Sequence, residues 1–145
     1  MNQAILQVAN AQNGINRLTN VHQSFLTHLG QGGGSTHFAG ALSVADGVLS
    51  VDACGHSLMA VPRVVHHGGH DFAVEYTFAY MTKDVTTPIW RFYLTENGLL
   101  VSSLADDTSR LCDFNNQYVV ERLLTEVSTA VLKSFLFAPS PAIDG

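Results

Sequence analysis

LMAVPRVVHHGGHDFAVEYTFAYM, residues 58–81, holds two extended runs and the turn between them. Gly68-Gly69 is flanked by β-branched and aromatic residues, and a two-residue Gly-Gly link favours the turns that close a hairpin. In the second run His70, Phe72, Val74, Tyr76, Phe78 and Tyr80 share one face, while Asp71, Ala73, Glu75, Thr77 and Ala79 share the other. One face is apolar and the other mixed, the pattern of an antiparallel sheet covered on one side.

Similar punctuation recurs on both sides. Asp46-Gly47 lies between the runs 38–44 and 48–51, and 52–57 carries Cys54-Gly55-His56 in a further candidate turn. Residues 82–87 are polar, and Asn97-Gly98 separates 89–95 from 99–103. Consecutive strands with short links predict an antiparallel meander of about six strands. Trp90, Phe92 and Leu94 alternate with Arg91, Tyr93 and Thr95 in the same manner.

A helix is predicted on each side of this meander. Ala4, Val8, Ala11, Ile15, Leu18, His22, Phe25 and Leu29 recur at close to 3.5 residues, giving a helix over about 2–29 that Gly30 would end. Asn13-Gly14 interrupts it, so a kink or a frayed lead is expected there. Residues 105–113 read as a polar, acidic loop. A second helix over about 116–137 carries the stripe Val120, Leu123, Leu124, Val127, Val131, Leu132 and Phe135, with Asp113, Asn115 or Asn116 to cap it and Pro139 to end it. The expected architecture is α+β: N-terminal helix, β-meander, and C-terminal helix packed on the sheet. It forms one domain over 1–145, with a glycine-rich connector at 31–35 and a flexible tail at 138–145.

Composition narrows the partners. The chain has 145 residues, a 46% hydrophobic content and a net charge of −5 with histidine neutral. Its 7 lysines and arginines are scattered, which disfavours nucleic acid and anionic membranes. There is no stretch of about 20 apolar residues and no basic, apolar leader, so a cytoplasmic protein is expected. Cys54 and Cys112 are too few for a disulfide scaffold, and reduced thiols are the default. Arg17 is the sole charged side chain among the first 45 residues. A neutral polar face lowers like-charge repulsion between copies and points to a homo-oligomer.

Four groups of side chains carry candidate chemistry. With a two-residue turn at Gly68-Gly69, His66 faces Asp71 and His67 faces His70 on opposite sides of the hairpin. The first pair is a candidate acid–base dyad, since a carboxylate orients an imidazole; the second is a candidate metal chelate. Pairing around Asp46-Gly47 would set His37 opposite His56 with Cys54 on the same face, a possible zinc site. Arg63 lies on a face with Met59, Val61 and Val65, where it can bind an anion or pair with a buried carboxylate. Together with Tyr76 and Trp90 it forms the candidate ligand-binding set, although such aromatics more often serve as core.

No glycine-rich phosphate loop, nucleophile elbow or H-E-x-x-H helix occurs. The function expected from these features is a small acidic, non-enzymatic protein-interaction module, adaptor or chaperone-like and self-associating, with no cofactor. The alternatives are a ligand-binding or enzymatic pocket protein built on His66 and Asp71, or a metal-binding protein holding zinc.

Overall fold

Two dipeptides shape the start of the sheet. Asp46 and Gly47 have φ of 52° and 77°, Cys54 and Gly55 have φ of 52° and 83°, and each pair supplies the two left-handed residues of a tight hairpin turn. The computed structural model describes residues 3–31, 40–67, 71–105, 109–134 and 136, with only the backbone at Gly40 and His67. The connector beyond Gln31 and the tail 138–145 lie outside the described residues.

The described chain runs α1 (Gln3–Gln31), β1 (Gly40–Ala45), β2 (Val48–Ala53), β3 (His56–His67), β4 (Asp71–Met81), β5 (Thr86–Thr95), β6 (Leu99–Val101), β7 (Arg110–Asp113) and α2 (Val119–Leu132). Every strand pairs antiparallel with its sequence neighbour in one sheet of order β1 to β7. The seventh strand lies in the segment expected to be a loop. Its Leu99↔Asp113, Leu100↔Cys112 and Val101↔Arg110 pairs are too few to produce a visible alternation in sequence. Pro62 is tolerated within β3 because β2 pairing ends at Ala60, leaving one edge of β3 unpaired there.

Both helices pack on the inner face. α1 meets β4 and β1, while α2 reaches β1, β2, β5 and β7, so the sheet curls around it. Leu18, Phe25 and Leu29 of α1, Leu123, Leu124, Val127 and Val131 of α2, and Tyr76, Phe78, Phe92 and Leu94 of the sheet form the core. Phe25 stands edge-on to Tyr76 and Phe92, whose own rings stack at 4.7 Å.

α1 is one uninterrupted helix, without the break expected at Asn13-Gly14, and it continues through Gly30. Gly14 marks its close approach to the sheet. A Cβ there would lie 3.1 Å from Glu96 Oε1 and 3.3 Å from Phe72 Cδ2. N-terminal to this crossing, residues 3–10 are exposed. α2 is shorter than expected at both ends. Asn116 Oδ1 accepts the Tyr118 N–H at 2.8 Å, one residue before the helix, and Tyr118, the N-cap residue, makes no side-chain capping bond of its own.

Candidate functional site

The β3–β4 hairpin decides which side chains meet. His67 pairs with Asp71, His66 with Phe72 and Arg63 with Glu75, so three residues rather than two join the strands. The register is therefore one residue from that of a two-residue Gly-Gly turn, and a one-residue slip changes every pairing. This corrects the expected His66–Asp71 dyad: the His66 ring lies 5.0 Å from Phe72, while Asp71 alternates to the other face. The expected His67–His70 chelate falls on the His67 side chain and on His70, both outside the described residues.

The expected His37–Cys54–His56 site is corrected in part. Cys54 occupies the β2–β3 turn, so Cys54 and His56 do not continue one strand; His56 pairs with Ala53 and sets its ring against Tyr80. His37 lies outside the described residues. Among the described residues, no three His, Cys, Asp or Glu side chains converge as a metal site. Cys54 and Cys112 are free thiols, and burial pushes the Cys112 thiol above its ordinary value.

Arg63, Tyr76 and Trp90 do not converge. Tyr76 and Trp90 point inward, where Tyr76 is fully buried and Trp90 stacks on Phe78 and Phe92. Arg63 borders the crevice beside α1, and its guanidinium reaches the face of the sheet on which, among the described residues, no helix packs. There Arg63 Nη2 donates to Glu75 Oε1 at 2.9 Å, and Arg91 Nη1 lies 3.9 Å from Glu75 Oε2. Thr77 Oγ1 donates to the same carboxylate at 3.4 Å. Glu75 is the sole buried charged side chain among the described residues, and its flanking guanidiniums supply the partners that such burial requires.

The inner face holds a polar contact that the helical pattern hid. His22 occupies an apolar-stripe position on α1, and its Nδ1 lies 2.5 Å from Tyr76 Oη. Burial raises the Tyr76 phenol well above its ordinary value and lowers the His22 imidazole below 6.5, so both groups are neutral. The fully buried hydroxyl must donate its proton, so the bond runs from Tyr76 O–H to His22 Nδ1, leaving Nε2 protonated. His22 also lines a narrow 140 Å³ crevice with Leu18, Thr19, Pro62, Arg63, Val64 and Val74. A histidine within an otherwise apolar heptad stripe was the available signal for such a buried polar partner.

A wider cleft of 540 Å³ opens where α1 crosses the strand ends, lined by Arg17, Asp71, Phe72, Glu96 and Asn97 among others. Its central carboxylate is already engaged. Glu96 Oε1 accepts from Arg17 at 3.1 Å and Oε2 accepts from the Phe72 N–H at 3.3 Å. No protein-family model, curated protein or solved structure matches the chain significantly. No helix is long and apolar enough to cross a membrane among the described residues.

Proposed function

We propose that this chain is a non-enzymatic protein-interaction module, adaptor or chaperone-like, and that it self-associates through the free end of α1. The observation that carries this reading is the continuation of the apolar stripe beyond the sheet. Leu18, Phe25 and Leu29 bury the C-terminal half of the helix, whereas Val8, on the same stripe, and the neighbouring Ile5 are 68% and 63% exposed. An isolated helical end of three turns is marginal in water, and Asn10, Asn13 and Gly14 weaken this one further. A second copy laid against the stripe would stabilise both ends.

Charge favours a copy as the occupant. Residues 3–13 carry Gln and Asn but no charged side chain, so two such ends meet without repulsion. Burying the exposed parts of Ile5 and Val8 on two chains contributes about 4–8 kcal/mol against association costs of similar size, so the dimer is weak and reversible.

Sedimentation equilibrium up to about 1 mM protein tests this. A reversible dimer is expected for the native chain, and for Val8→Asp a monomer whose near-ultraviolet circular dichroism, which reports the packed core, is unchanged. A native chain that stays monomeric throughout, or a Val8→Asp dimer of native strength, overturns the reading.

A further inference from the structure

On the helix-free face, Glu75 does more than neutralise charge. One buried carboxylate holds two guanidiniums, so the group carries a net charge of +1 in a chain whose total is −5. Arg63 and Arg91 are 70% and 48% exposed, which leaves most of their N–H donors free to reach a second anion. The bond to Glu75 restricts the Arg63 side chain in advance, reducing the conformational freedom it must still lose on binding.

The same face continues into an apolar row. Register sets Met59 opposite Ala79, and Val61 opposite Thr77, whose other neighbour is Arg91. Met59, Val61 and Met81 are 44%, 65% and 60% exposed. Methionine and arginine are both enriched in protein interfaces, where a desolvated apolar centre adjoins a polar rim. Asp52 lies two strands from Glu75 and is engaged by the Ser57 hydroxyl at 2.6 Å, and Asp71 shares the Glu75 face four residues away along β4.

We propose that this face, where Glu75 presents Arg63 and Arg91 beside Met59, Val61 and Met81, docks an acidic, apolar segment of a partner protein. A carboxylate of that segment bridges the two guanidiniums, and its adjacent apolar side chains cover the methionines and Val61. The proposal rests on the interaction-module reading but uses a different surface from α1.

The test is fluorescence anisotropy with a labelled heptapeptide of alternating glutamate and leucine, beside a lysine–leucine control. The glutamate peptide should bind, the lysine peptide should not, and rising salt should weaken binding. Arg63→Gln/Arg91→Gln should weaken it by about tenfold or more. Because that variant strips a buried carboxylate of its partners, Met59→Ser/Met81→Ser, which alters two exposed side chains, provides a second loss of affinity. Amide shifts in the native chain should cluster at residues 59–63, 75–77 and 91–93. Equal binding of both peptides, no binding at millimolar peptide, or shifts centred elsewhere overturns the proposal. Val8→Asp should bind the peptide normally, so loss of self-association and loss of docking are separable.

Discussion

Replacing Tyr76 with phenylalanine isolates the contact that latches α1 to the sheet. The substitution keeps the ring, its 4.7 Å stack on Phe92 and its edge contact with Phe25, and removes only the hydroxyl. The His22 Nδ1 acceptor then loses its donor. His22 is only half-buried, so water partly replaces the lost bond, and the cost is at the low end of the range for an unpaired buried group, about 1 kcal/mol.

The reverse deletion is costlier. His22→Leu keeps side-chain bulk on the helix but leaves a fully buried hydroxyl without an acceptor, at about 2–3 kcal/mol. The double variant removes both polar groups, so it should be more stable than His22→Leu alone, with a coupling of about 1–2 kcal/mol. Urea unfolding followed by circular dichroism measures all four proteins, and the comparison is valid where the slope is unchanged. If Tyr76→Phe unfolds at the native midpoint and the two substitutions are additive, the hydroxyl–imidazole bond does not hold the helix and the reasoning fails.

Four further outcomes follow from the surroundings of named residues. Gly14→Leu should destabilise by about 1–3 kcal/mol, because its side chain meets Glu96 and Phe72, whereas Gly30→Ala, with open space around it, should stabilise by up to about 1 kcal/mol in thermal unfolding. Burial depresses the His22 value in the fold below 6.5, so the unfolded chain binds more protons and His22 contributes stability above that pH that is lost on acidification. His22→Leu should therefore lose less stability than the native protein between neutral pH and the acid side of 6.5, read from urea midpoints; parallel curves would contradict it. Gly98→Ala should cost about 1–3 kcal/mol, since φ is 82° and a Cβ would come within 2.7 Å of Phe114, and a native midpoint would remove that close packing from the account.

Local chemistry made some of this architecture legible. Asp46-Gly47 and Asn97-Gly98 mark their turns because Gly47 and Gly98 adopt positive φ, and Asp46 does as well. The alternation from Phe72 to Tyr80 assigns the inner and outer faces of β4 correctly, since that pattern depends only on the pleat. Register does not follow from alternation. Gly68-Gly69 locates the β3–β4 connection, but one further residue within it moves Glu75 opposite Arg63 and separates His66 from Asp71. Cys54 at a positive φ lacks a strong turn signature, so Cys54-Gly55 reads equally well as a ligand spacing. The His22–Tyr76 bond joins residues 54 positions apart, and only the packing of α1 across β4 brings them together.

Hydrogen exchange along α1 at two protein concentrations tests self-association most directly. Amides in residues 5–13, beyond the sheet, should exchange rapidly in dilute protein and gain protection as concentration rises, while those near Phe25 and Leu29 stay protected throughout. Rapid exchange over residues 5–13 at every concentration would contradict the account, because the apolar stripe would then end in solvent rather than on a second copy.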